Sequence, residues 1–311
     1  MWQWRGLLLV LLLCGGCAAS IPADVLRDAQ FTVESLNSVY LLDGTGDQAT
    51  PILERRRTRS GPAMHDNLYD DYIDPSLSPD RAHVACLRFR NNSEGGGNLD
   101  ELMPFQSVEV LIVGIADRVE RVVTSIPATS KGRVYRVLAP VWSRDGRRIF
   151  FVADRHVWSY ALLEGRVEPV VELPGDFGGG FGAGRRYLRA SPDGTRLFGL
   201  LGRSFGGDDV VVEIDIAGRR LTPLWSGRLS TGLASEVDRP LTAQVSDDVV
   251  QMVFGSRQRP VFAPRSSSDG RFYFFGRHEV GFLGRRWVAG YDRSTGTEFE
   301  VRTMWRTLFW K

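Results

Sequence analysis

A short unit recurs along this chain, and it constrains the fold more than any other feature of the sequence. The unit is a tight turn running directly into an apolar segment. Residues 189–202 read RASPDGTRLFGLLG. Pro192 presets φ for the second position of a β-turn, and Gly194 accepts positive φ at no steric cost. Ser191 and Asp193 carry oxygens that can bond the turn's own backbone. The apolar run after them is too short for a globular helix and long enough for a buried strand. Residues 140–153, PVWSRDGRRIFFVA, place Ser143, Asp145 and Gly146 in the same positions. Residues 74–89 carry Ser78, Pro79 and Asp80 without the glycine, and residues 264–275 carry Ser267, Asp269 and Gly270. A degenerate copy, QVSDDVVQMVF, begins at Gln244.

A second half recurs behind the first. Residues 157–171 (VWSYALLEGRVEPVV), 210–224 (VVVEIDIAGRRLTPL) and 287–301 (WVAGYDRSTGTEFEV) each read as strand, Gly-bearing turn, strand. That is a hairpin signature. Turn, strand and hairpin add up to about four short strands per unit, the blade of a propeller. Ser143 and Ser191 are 48 residues apart, which fits one blade of roughly 40–50 residues. Ser78 to Ser143 is longer at 65, with NNSEGGGN (91–98) as the added loop. Ser191 to Ser267, at 76, blurs the register beyond Leu221.

The SPDG turn with its apolar strand, followed by a hairpin of the form xVWxxxLxxGxxxxL, resembles the TolB-like β-propellers, a WD-repeat-like group of bacterial envelopes. The resemblance covers most of residues 74–301. It implies an all-β fold, a β-propeller of four-stranded blades, with six blades expected and five the alternative. The propeller is expected over 31–311 as one domain. The resemblance also implies protein–protein contact in the periplasm and is silent about activity.

The N-terminus reads MWQWRG, then LLLVLLL from Leu7 to Leu13, then CGGCAAS. The apolar run is too short to span a bilayer and matches the h-region of a secretory signal. Its end resembles the bacterial lipoprotein signal, with Gly15 and Gly16 before Cys17. The expectation is a signal peptide over 1–16, lipidation at Cys17 and a tether over 17–30. Simple secretion after cleavage near Ala19 or Ala23 is the alternative. Either way the product is exported, to the periplasm or the cell surface. Cys86 then remains alone in the apolar VACLRF, a core thiol, and no disulfide framework is needed.

A net charge of +2 gives no electrostatic case for nucleic acid. The basic residues are almost all arginine, with Lys131 and Lys311 the only lysines. Glu54 and the Arg55-Arg56-Arg57-Thr58-Arg59 run read as a surface loop.

Candidate chemistry is sparse. Gly202-Arg203-Ser204-Phe205-Gly206 matches a nucleophile elbow, with His278 downstream, but the elbow needs a following helix and the sequence offers a strand. DFGGGFGAG (176–184) satisfies a loose dinucleotide fingerprint with no room for the helix behind it. It reads as a loop between blades, and its end, Arg185 and Arg186, is a candidate binding loop. Asp66, Asp70, Asp71 and Asp74 could offer oxygens to Ca²⁺ but lack EF-hand spacing, and read as a solvated acidic turn. The four histidines, His65, His83, His156 and His278, show no zinc spacing. Trp142, Trp158, Trp225 and Trp287 fall near blade positions, as packing between sheets requires. No cofactor and no metal are expected. The reading is a non-catalytic envelope scaffold with an envelope protein partner and a lipid anchor. The alternative is a hydrolase or lyase with its site in the central channel, which would gather Asp, Glu, His or Arg side chains, or a metal, at the channel mouth.

Overall fold

The computed structural model describes residues 23–35, 38–45, 49–59, 68–91, 107–127, 138–153, 155–174, 187–191, 193–202, 209–227, 265–267, 269, 271–278 and 286–301. Within them one short helix, α1 (Ala23–Asp28), precedes five antiparallel sheets. The first holds β1 (Phe31–Ser35), β2 (Ser38–Leu42) and β3 (Ala49–Leu53). The second holds β4 (Arg56–Arg59), β5 (Leu68–Leu77), β6 (His83–Asn91), β7 (Ser107–Gly114) and β8 (Glu120–Pro127). The third is β9 (Leu138–Trp142), β10 (Arg148–Ala153), β11 (His156–Ala161) and β12 (Arg166–Glu172). The fourth is β13 (Tyr187–Ala190), β14 (Arg196–Gly202), β15 (Asp209–Asp215) and β16 (Arg220–Gly227). The fifth is β17 (Arg265–Ser266), β18 (Phe272–His278), β19 (Arg286–Asp292) and β20 (Thr297–Val301).

Each sheet is a meander whose strand order follows the chain. The sheets meet along their first long strands. β1 packs on β5, β5 on β9 and β9 on β13, while β17 returns to β1. Sheets stacked in this way around a common axis form a β-propeller. The fourth and fifth sheets are separated by residues 228–264, which lie outside the described residues, as does the degenerate turn copy at Gln244. The blade count expected at six falls on that span.

Alternate side chains of one strand serve two different interfaces. On β6, Ala85, Leu87 and Phe89 join Trp142, Ile149, Phe151 and Tyr160 of the third sheet. Val84 and Cys86 turn the other way, toward Val39, Ile52 and Leu53 of the first. On β10, Phe150 and Val152 join Leu188, Leu197 and Val212 of the fourth sheet. Strands buried on both faces read as continuous apolar runs, which is why the sequence shows IFFVA rather than alternation. Cys86 is fully buried, as a core thiol should be.

The ring closes between its first and last described sheets. Ala29, Phe31 and Leu42 pack with Phe272, and Val25 and Leu26 of α1 cover the cluster. The Phe299 ring meets Phe272 edge-on, with centroids 5.9 Å apart. Residues 23–29 of the expected tether are therefore docked on the ring. The closing strand expected from Met304 lies outside the described residues.

The strand count departs from a uniform four. The first sheet has three described strands and the second has five. The cause of the fifth is charge. Arg56 stands opposite Asp70 in the β4–β5 register. Its Nε donates to Asp70 Oδ2 at 3.2 Å, and Arg90 Nε donates to Oδ1 at 3.1 Å. Arg55 Nε donates to Asp71 Oδ1 at 2.6 Å. Two sequence expectations are corrected here. The arginine run is a strand, not a surface loop, and Asp70 and Asp71 are buried ion-pair partners on β5, not a solvated turn. Asp66 lies outside the described residues.

Candidate functional site at the turn face of the ring

The repeated turns follow the axial strands β5, β9, β13 and β17, so they come together at one mouth of the ring. A Cβ added at Gly146 would lie 3.7 Å from Pro79 of the preceding turn, and one at Gly194 would lie 3.8 Å from Arg144 Cβ. Arg144 Nη1 donates to the backbone oxygen of Asp269 at 3.0 Å, tying the third sheet's turn to the fifth sheet's turn.

The four turns share one hydrogen-bond scheme. The Ser78, Ser143 and Ser191 hydroxyls donate to Oδ1 of Asp80, Asp145 and Asp193 at 2.5, 2.6 and 2.5 Å, and Ser267 donates to Asp269 in the same way. Each hydroxyl oxygen also accepts the backbone N–H five residues on: His83 and Arg148 at 2.9 Å, Arg196 and Phe272 at 3.0 Å. Each Asp Oδ1 accepts a further N–H, from Ala82, Arg147, Thr195 or Arg271, at 3.0 Å. The serines are all buried. Gly146 and Gly194 have φ of 69° and 71°, and Arg81 takes the same place at 61° in the turn that lacks glycine.

This scheme decides what the mouth carboxylates can do. The Ser191 hydroxyl and the Thr195 N–H hold Asp193 down to about 2. The Ser143 hydroxyl and Arg147 N–H lower Asp145 in the same way. At Asp80 burial works against the charge, yet the bonds from Ser78 and Ala82 prevail and its carboxyl is also lowered. A carboxylate held ionised by its own turn is a poor proton donor at neutral pH. Among the described residues no group of three or more His, Cys, Asp or Glu is placed to hold a metal ion.

Beside the mouth, a cleft of about 660 Å³ runs between the third and fourth sheets. Phe150, Pro169, Val170 and Ile216 line it, with Arg144 and Arg219 among its charged residues. Neither arginine stood out in the sequence. The tryptophans fall partly as expected. Trp142 is buried between the second and third sheets, and its Nε1 donates to Ser76 O at 2.9 Å. Trp158 packs on the same cluster and donates to Ala153 O at 3.0 Å. Trp225 is buried. Cys17, His65, Arg185, Arg186 and Ser204 lie outside the described residues, as does the glycine-rich 176–184. The segments that follow the last two are strands, β13 after the glycine run and β15 after Ser204, where a phosphate cradle or a nucleophile elbow needs a helix.

Sheet order and closure define the chain as a β-propeller. No family model matches it, and no curated protein matches it. Solved structures do. TolB from Acinetobacter baumannii is 15% identical with a TM-score of 0.42, over 87% of this chain and 51% of that chain. This chain thus spans about half the length of that TolB chain. An oligogalacturonate lyase in complex with manganese is 12% identical with a TM-score of 0.38, over 85% of this chain and 70% of that chain. A chain of a nidogen/laminin complex is 10% identical with a TM-score of 0.48, over 87% of this chain and 91% of that chain. Their similarity to this chain is one of fold. No helix among the described residues is long and apolar enough to cross a membrane.

Proposed function

We propose that this chain is an exported binding scaffold of the bacterial envelope, held at a membrane by lipid on Cys17. In this reading residues 1–16 are the signal peptide, 17–30 link the anchor to the ring, and 31–311 are the propeller. The turn face and the Arg185–Arg186 loop present the surface to an envelope protein partner. One observation carries the scaffold reading. Among the described residues, four turn carboxylates each use Oδ1 to brace their own turn, so they hold the loops in place. The N-terminal LLLVLLLCGGC supports export and anchoring.

The test is in-cell crosslinking of the full-length protein, capture from the envelope fraction and mass spectrometry, with a Cys17→Ser strain alongside. A reproducible envelope partner, lost together with the membrane association in that strain, is the expected result. A protein equally soluble in both strains, with no partner, would overturn it.

A further inference from the structure

The last strand of each sheet, β3, β8, β12, β16 or β20, forms an outer edge on the rim of the ring. An outer edge carries unpaired backbone groups that a foreign strand can use, and proteins commonly block it with proline or charge. Three of these edges are blocked at one equivalent place. Pro51, Pro169 and Pro223 stand opposite Tyr40, Trp158 and Val212, each beside a register shift. Proline has no N–H, so the inner ladder does not need the nitrogen at this place, which lies on the open side. In the fifth sheet Glu300 stands at the corresponding place, opposite Ala289.

The second sheet is the exception. Val122 stands opposite Leu111, beside the same register shift. It keeps the N–H that proline lacks, and its side chain is 47% exposed. Three large apolar side chains are exposed among the described residues, and two of them, Val119 and Val122, lie at this edge. From Val122 to Ser125 the strand is uncharged and mostly β-branched, as strand pairing favours. The occupant that such an edge recognises is an extended backbone, with alternate side chains giving specificity. A second copy fits it poorly, because β8 paired with itself sets one bulge against another and bends both strands apart.

We propose that β8 is a docking edge, on which an extended, uncharged segment of a partner protein adds as a further strand with an apolar residue beside Val122. The proposal adds a rim surface to the scaffold reading, on which it rests. The full-length protein is titrated with peptides matched to β8 at eight residues, in which Val or Ile alternate with Thr or Ser. The same peptides with proline at every second position are the control. Proline-free peptides should slow hydrogen exchange along β8 and leave β12 and β16 unchanged. Val122→Pro copies the residue that three other outer strands already carry. Its Tm should match the wild type, and it should weaken binding about tenfold. Val122→Ala keeps the N–H and should stay within about threefold. Should Val122→Pro melt early, exchange in the wild type decides alone. The proposal is overturned if no β8 amide is protected, if the proline peptides bind equally, or if a folded Val122→Pro binds as the wild type does. It is also overturned if the β8 edge amides are protected without peptide. Protection that grows with protein concentration then names a second copy, and constant protection names a segment of this chain. If an envelope partner is captured equally by the wild type and Val122→Pro, the edge is excluded while the scaffold stands.

Discussion

At the scale of single residues, this protein places acids where their charge is held and not exchanged. Asp292 is the clearest case in the fifth sheet. It is fully buried. Burial works against its charge, but Arg271 donates to both carboxylate oxygens, at 3.1 and 2.8 Å, and Ser294 adds two more bonds. The result is a carboxyl held down to about 2. In the unfolded chain the same group titrates near 4. Its contribution to stability is therefore complete above about pH 4 and is lost as pH falls toward 2, because the unfolded state takes up the proton first. Thermal melts between pH 5 and 2 should show a steeper loss in the wild type than in Asp292→Asn. Equal slopes would mean that Asp292 is not held as described. The serine–aspartate pairs of the turns were legible in the sequence because every partner lies within five residues. Arg81 was not, since only the backbone reveals that an arginine has taken a glycine's place.

At the scale of the element, legibility stops where a partner is distant. The third and fourth sheets could be read directly, because turn and hairpin signals are local. The strand β4 could not. An arginine run has no strand pattern of its own, and it becomes a strand because Asp70 and Asp71 lie on the neighbouring edge. The same holds for the ion pairs of the third and fourth sheets. Arg148 and Arg196 pair with Glu168 and Glu213 on other strands, and nothing in the sequence around either arginine announces its partner. The β4–β5 edge makes an asymmetric prediction. Asp70 has 1% of its side chain exposed, whereas Arg56 and Arg90 have 52% and 35%. Asp70→Asn leaves two arginines that water can reach and should cost about 1–2 kcal/mol. Arg56→Met with Arg90→Met strands a buried carboxylate and should cost about 3–5 kcal/mol. Urea titrations of both variants decide it, and the reverse order would mean that β4 is held by something other than these pairs.

At the scale of the whole molecule, stability depends on the seam. Phe272 is fully buried where the last sheet meets the first, against Phe31, Leu42 and the edge of Phe299. Phe272→Ala should cost about 3–5 kcal/mol. Leu163→Ala, at a hairpin tip with the side chain exposed, should leave the Tm unchanged. A Phe272→Ala protein as stable as the wild type would show that the ring is not closed there. The sequence implied a ring through its repeats, but the N-terminal half of the seam carries no repeat signal. Its residues belong to α1, β1, β2 and the last sheet, and only the closed ring makes them neighbours.

That seam also sets an order in time. Each of the five described sheets is complete once its own consecutive stretch of chain has been made, whereas Phe31 waits for Phe272, more than two hundred residues on. A chain that appears N-terminus first carries its opening sheet, with Phe31 and Leu42 unburied, through almost the whole of its synthesis. The last contact to form is then the one that costs the longest loop to close, and the interval before it forms is when this protein most needs shielding from its neighbours.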